Sequence, residues 1–187
     1  MVQEVLAGQD LRLAELTGFA AASGPGSFTG LRIACGVAQG LAFGAGLPLA
    51  LVGTLEALAE TTGAERVLSC VDARMHEVYW AAHVRDGDVW REVSPPAVGS
   101  PADLALPDAG PWLGVGSGFA AYQELARRLA PDLSLAPSLR PALAAAVARL
   151  AARHWPLLAG APHRAQPLYV RDKVALTTAE RALAGWR

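Results

Sequence analysis

The sequence predicts an α/β protein of two lobes. Two observations carry that expectation. Short apolar runs of strand length alternate with stretches of helical periodicity, and in the second half a hairpin signal places several strands ahead of the helices. With 187 residues, 52% of them hydrophobic, the chain is long enough to bury a core as one domain or as two small lobes.

Residues 2–8 read as a short helix and residues 16–22 as a buried strand. Gly24-Pro25-Gly26-Ser27-Phe28-Thr29-Gly30-Leu31-Arg32 then turns into a small-residue helix over residues 31–45. Gly24, Pro25 and Gly26 suit a tight turn, and Ser27 or Thr29 can cap the helix. A capped start gathers free N–H groups with partial positive charge, so it either holds a phosphate or carboxylate or simply ends the strand. No Lys follows the glycines and the spacing is not G-x-G-x-x-G, so neither common nucleotide loop is present. Gly36, Gly40 and Gly44 recur every four residues and share one stripe, which lets a second backbone approach: the protein's own sheet or a partner helix.

Pro48 stops that segment, a strand follows at 49–52 and a helix at 54–62, and Gly63 marks a boundary between residues 1–63 and 64–187. Residues 67–71 read as a buried strand. Two alternating runs, 76–84 and 89–93, flank Asp86-Gly87, a strong hairpin signal. The Pro- and Gly-rich stretch 94–111 reads as a loop. After a strand at 112–115, Phe119, Tyr122, Leu125 and Leu129 repeat at helical spacing, as do Leu139, Leu143, Val147 and Leu150 behind Ser138.

Sixteen basic and seventeen acidic side chains nearly cancel, so no global field drives the chain onto nucleic acid or membrane. Residues 127–187 nevertheless hold ten Arg or Lys against Asp132, Asp172 and Glu180, either an RNA-facing or acid-partner-facing end or a solvated face. Cys35 and Cys70 form neither a disulfide framework nor a C-x-x-C pair, which fits a reducing cytoplasm. The apolar run 31–51 contains Arg32, Gln39, four glycines and Pro48, so it does not span a membrane, and no signal peptide is expected at the start. His76, His83, His154 and His163 offer no H-E-x-x-H, and Ser27 has no evident base and no G-x-S-x-G elbow. Metal-dependent and serine hydrolysis are therefore not expected. The five tryptophans read as core or interface aromatics rather than a base-stacking platform. Residues 167–173 read as an edge strand or a docking tail.

The stretch from Gly24 to Arg32, continued by Ile33-Ala34-Cys35-Gly36-Val37-Ala38-Gln39-Gly40-Leu41-Ala42, resembles the signature of the bacterial TsaB (YeaZ) family. Further matches follow in family order: Thr54-Leu55-Glu56-Ala57, Val71-Asp72-Ala73-Arg74-Met75-His76-Glu77, Gly114-Val115-Gly116-Ser117-Gly118-Phe119 and Pro167-Leu168-Tyr169-Val170-Arg171-Asp172. The resemblance implies an actin/Hsp70-like (ASKHA, ribonuclease H-like) fold and a part in making N6-threonylcarbamoyladenosine beside the anticodon of tRNA. It implies a non-catalytic scaffold that pairs with the TsaD threonylcarbamoyl transferase, with TsaC and TsaE completing the pathway and tRNA contacted indirectly. Pairing is expected through the glycine stripe (Leu31, Gly36, Gly40, Gly44), with a homodimer when TsaD is absent.

No intrinsic cofactor is expected, and ATP or ADP would lie at the partner interface. Positions facing an anion or nucleotide would be Gly24, Gly26, Ser27, Thr29, Asp72, Arg74 and Gly116. Asp72 follows a strand where the superfamily carries a phosphate-facing turn, yet an Asp–Arg pair finishing a strand would look the same. The glycines at 114, 116 and 118 serve equally as an adenosine-side loop or a strand-to-helix turn. The family's opening strand, ending in Asp-Thr-Ser, has no counterpart here, so the first lobe is expected to be truncated. The alternative is an enzyme in its own right, an ATP-dependent carbamoyl or phosphoryl transferase or an M22-type peptidase.

Overall fold

The computed structural model describes residues 2–137 and 143–171. Ser138, Leu139, Asp172, Lys173 and Trp186, singled out above, lie outside the described residues. A short helix α1 (Val2–Ala7) precedes strand β1 (Phe19–Gly24), helix α2 (Phe28–Ala45) and strand β2 (Leu49–Gly53). β1 and β2 pair in parallel, Phe19 opposite Leu49, as a strand–helix–strand crossover requires. Helix α3 (Thr54–Glu60) leaves this sheet and leads into a long antiparallel meander: β3 (Arg66–Arg74), β4 (Glu77–Asp86) and β5 (Val89–Gly99).

Gly87, at φ 60°, closes the β4–β5 turn, as its Asp-Gly signal predicts. β5 runs further than expected, through Pro95 and Pro96, because it is the edge of its sheet. Pro95 and Pro96 fall where the β4–β5 register shifts, between Trp80 opposite Ala97 and Ala82 opposite Ser94, so their missing N–H groups break no ladder. β6 (Trp112–Val115), α4 (Ser117–Ala121), α5 (Gln123–Leu129) and β7 (Leu133–Leu135) complete a five-stranded sheet ordered β5-β4-β3-β6-β7. The single helix expected after Val115 is two, broken at Tyr122, whose backbone leaves the helical region.

The boundary at Gly63 marks where the chain leaves the first sheet, but residues 143–164 return to it. Helix α6 (Leu143–Arg153) packs on α3, β1 and β2, α7 (Trp155–Leu158) follows, and β8 (Ala159–Gly160) pairs antiparallel with β2. The reason is the apolar stripe of α6. Ala146, Val147, Leu150 and Ala151 join Ala50 and Val52 of β2, Ala57 and Ala59 of α3, Val67 of β3 and Trp90 of β5 in one buried cluster. A second cluster, built on Leu68, Cys70, Val78, Trp112, Phe119 and Leu125, lies within the larger sheet and its helices.

One carboxylate ties the first cluster together. Glu60, at the end of α3 with its side chain 4% exposed, accepts from Trp90 Nε1 (2.8 Å) and Arg85 (3.0 Å) on Oε2. On Oε1 it accepts from Arg153 (3.1 Å) and Arg149 (3.4 Å). Burial pushes its pKa up, but the hydrogen bonds from Arg153 and Trp90, with the charges of Arg153 and Arg85, outweigh that and hold it below the ordinary 4.5.

A carboxyl lowered in the folded state contributes stability in full above its unfolded pKa and loses it as pH falls through the folded value. Glu60→Gln should therefore lower the unfolding free energy by about 3 kcal/mol near neutral pH, the low end for breaking a buried ion pair because the arginines keep some solvent. Urea titrations of both proteins should show the gap narrowing once the pH drops below 4.5.

Candidate functional site

The turn after β1 sets up α2. Ser27 is its N-cap, accepting from the Gly30 N–H at 3.4 Å, and Gly46, at φ 66°, ends it with its N–H on the Ala42 and Phe43 carbonyls. Inward, Cys35 is buried, and Ala38 and Ala42 pack with Phe19, Ala21 and Leu49. Outward, Ile33 is 61% exposed, Val37 55% and Phe43 78%.

The stripe Gly36, Gly40, Gly44 lies on this outer face, and among the described residues a Cβ added to any of the three would meet no atom within 4 Å beyond the helix's own backbone. Packing on the chain's own sheet is therefore not what the stripe does. Leu31 sits apart from it, half-buried, with its Cδ1 2.9 Å from where a Cβ on Gly24 would stand. Beside α2, exposed Val2, Val5 and Leu11 extend the apolar surface, and Leu41 shares a cleft with Leu6 and Leu13. The sequence reading missed Ile33, Val37 and Phe43. Their signal was helical spacing in register with the glycines, an apolar face three and four residues apart.

Asp72, Arg74 and Gly116 come together at the C-terminal ends of β3 and β6, whereas Gly24, Gly26, Ser27 and Thr29 stand at the head of α2. The Asp72 N–H donates to Ser117 Oγ (3.1 Å), and Asp72 is engaged on both oxygens by Arg74. The Arg74 backbone N–H reaches Oδ1 (2.8 Å) and its guanidinium reaches Oδ2 (3.2 Å). The Asp–Arg pair that finishes a strand is thus present.

Arg74, Met75 and His76 then turn the chain with φ of 61°, 55° and 61°, three successive left-handed residues at roughly 1 to 2 kcal/mol each. Gly116, at φ 117°, has no room for a side chain: a Cβ would overlap the Cys70 carbonyl oxygen, and one on Gly118 would overlap Cys70 Sγ. These glycines let α4 lie directly on β3. Next to them a largely apolar cavity of about 720 Å³ is lined by Thr54, Leu58, Val71, Ser117, Phe119 and Leu135, with the Thr54 hydroxyl buried and without a hydrogen-bond partner among the described residues.

The remaining reactive groups are quiet. Burial, with the Asp72 charge, pushes the Cys70 thiol up to about 12, so it stays protonated. Burial pushes His83 down to about 4. It is neutral and set edge-on to Trp90, with Nδ1 unpartnered. Trp90 and Trp112 are buried core residues, and Trp155 packs over Gly18. Among the described residues no group of three or more His, Cys, Asp or Glu could hold a metal, and no helix is long and apolar enough to cross a membrane. Gly116 and Gly118 are thus taken up by packing on Cys70, and Asp72 is engaged by Arg74.

Gly116→Ala should cost at least about 3 kcal/mol in denaturant titration, combining overlap with a forbidden φ. Gly26→Ala, where the nearest atom is Leu31 Cδ1 at 4.0 Å, should change stability by less than about 1 kcal/mol. Equal costs would contradict the packing role of Gly116.

A family model described as "TsaD: tRNA N6-adenosine threonylcarbamoyltransferase" matches residues 1–157. The tRNA threonylcarbamoyladenosine biosynthesis protein TsaB of Escherichia coli is 37% identical over 183 residues, covering 94% of this chain and 79% of that protein. Its namesake in Haemophilus influenzae is 39% identical over 144 residues, covering 68% of this chain and 60% of that protein. The solved structure of YeaZ from Pseudomonas aeruginosa superposes with a TM-score of 0.81 at 37% identity, covering 90% of this chain and 80% of that one. A second, described as an uncharacterized protein with similarity to peptidase YEAZ from Pseudomonas aeruginosa, gives 0.82 at 36% identity.

Proposed function

This chain belongs to the TsaB (YeaZ) family of tRNA threonylcarbamoyladenosine biosynthesis, with its actin-like ASKHA-type α/β fold, and from that premise we propose that it is the non-catalytic partner of TsaD. The observation that carries the proposal is the outer face of α2. Ile33, Val37 and Phe43 flank a glycine stripe whose Cβ positions all point into open space, so a second helix can approach backbone to backbone. A protein that keeps such a face uncovered keeps it for an interface. α1, with exposed Val2 and Val5, widens it.

The mechanism is scaffolding: pairing through α1 and α2 holds TsaD in a competent state. TsaC and TsaE act in the same pathway, and tRNA is met through the complex. An ATP or ADP at the shared face is held chiefly by TsaD, since Gly116, Gly118 and Asp72 are already engaged within this chain. Without TsaD the same face supports a homodimer. Buried, protonated Cys70 and buried Cys35 suit the reducing cytoplasm, where this chemistry is placed. The enzymatic alternative, an ATP-dependent transferase or a peptidase, has no comparable support, since Asp72 is already engaged on both oxygens by Arg74.

Gly40→Leu tests the reading cleanly. Its side chain enters open space, and replacing a mid-helix glycine should raise the stability of the isolated chain by about 0.5 to 1 kcal/mol. Co-purification with TsaD should be lost all the same. Retained pairing at full strength would sink the proposal.

A further inference from the structure

The C-terminal residues 162–171 lie along α2 and then cross to the other lobe. Gln39, midway along α2, donates through Nε2 to the carbonyls of Pro162 (3.1 Å) and Ala165 (3.0 Å). Further on, the Leu168 N–H donates to the Ser23 carbonyl at the end of β1 (2.8 Å), and the Leu168 carbonyl sits 3.1 Å from where a Cβ on Gly24 would be. Tyr169 meets the head of the helix. Its hydroxyl accepts from Arg32 Nε (3.2 Å), its ring lies 6.0 Å from that of Phe28, and the Arg32 guanidinium stacks 3.7 Å over Phe28.

Two residues later the chain is on the larger sheet. The Arg171 guanidinium, with its side chain 15% exposed, donates to the Ala73 carbonyl (3.1 Å) and to Glu77 Oε2 (2.5 Å) and lies 5.6 Å over the Tyr79 ring. Ala73 and Glu77 are the two shoulders of the left-handed turn Arg74-Met75-His76, so one planar cation clamps that turn from both sides.

We propose that residues 167–171 are an interlobe latch that couples the head of α2 to the β3–β4 turn, so that whatever contacts Phe28, Arg32 and Tyr169 is reported at residues 73–77. The argument is geometric. A turn of three non-glycine residues with positive φ persists only when its surroundings over-determine it. Besides the local Arg74–Asp72 contacts, the group that spans it comes from this segment. At the other end, Phe28 and Tyr169 are 43% and 51% exposed, large aromatic side chains held in place by a stacked cation. A ligand that shifts this aromatic–arginine stack moves Tyr169, and Arg171 lies two residues away on the same extended segment. The turn it clamps carries Arg74, the partner of Asp72, and Asp72 bonds Ser117 beside the apolar cavity.

Hydrogen–deuterium exchange on the full chain tests the coupling. Arg171→Ala should speed amide exchange at residues 75–78 by about tenfold, as loss of a charge-assisted clamp on a locally opening turn requires. The decisive variant is Arg32→Ala, whose contacts among the described residues are with Phe28 and Tyr169. It should speed the same amides by about threefold while those of β6 stay unchanged. Tyr169→Phe, which keeps the ring and removes the acceptor, should act in the same direction more weakly. Faster exchange confined to the head of α2 and residues 167–171 in the Arg32 and Tyr169 variants would overturn the latch. If Arg171→Ala fails to fold by circular dichroism, these two variants at exposed positions decide the matter alone.

Discussion

Everything about how the two lobes sit rests on one buried carboxylate. Glu60 ends the helix that leaves the first sheet, and it is held by Arg85 and Trp90 from the hairpin of the second sheet and by Arg149 and Arg153 from the helix that comes back. The surrounding core is rich in alanine, with Ala50, Ala57, Ala59, Ala146 and Ala151 all buried. Small side chains bring backbones close but define orientation weakly, because they interdigitate little. Direction is supplied instead by polar bonds that cross between elements. The Glu60 cluster is one, and Ser69 Oγ donating to the Leu55 carbonyl at 2.7 Å, fully buried, is another. A buried charge tolerates only one arrangement of its partners, so it selects a geometry that alanines alone would leave loose.

The fold was legible where local chemistry is strong. The two-lobed α/β pattern, the cap at Ser27, the Asp86-Gly87 hairpin and the strands after Gly63 all follow from turn residues and periodicity. What escaped was non-local. Nothing in the stretch 143–153 says that its apolar stripe turns back to β1 and β2, because a stripe specifies a face and not the surface that receives it. The continuation of β5 through Pro95 and Pro96 was hidden for a related reason. Proline forbids a central strand, and only the finished sheet shows that this strand is an edge.

The candidate site divides in the same way. The glycines at 116 and 118 were recognisable as a junction, but the reason for them, contact of α4 with Cys70, lies 46 and 48 positions away in the chain and is a property of packing. The Asp72–Arg74 pair, two residues apart, was readable as either a ligand contact or a strand ending, and both carboxylate oxygens are engaged by the neighbouring arginine. The stripe of α2 was visible as a stripe, while the side it faces was not. Once α2 is placed, Cys35, Ala38 and Ala42 claim the inner side and the glycines fall outside. Arg171 and Glu77 are 94 residues apart and gave no sign of each other before the chain was folded.

The edge strand β5 carries a last implication. Pro95 and Pro96 sit where the strand is already irregular against β4, and a proline and a bulge in an edge strand make the sheet a poor template for addition on that side. Near the end of β1 the Ser23 carbonyl is already taken by Leu168. The molecule is thereby steered toward association through a helical surface, which is used up by a single encounter, and away from strand addition, which regenerates itself at every step. One mode terminates after a pair; the other would polymerise.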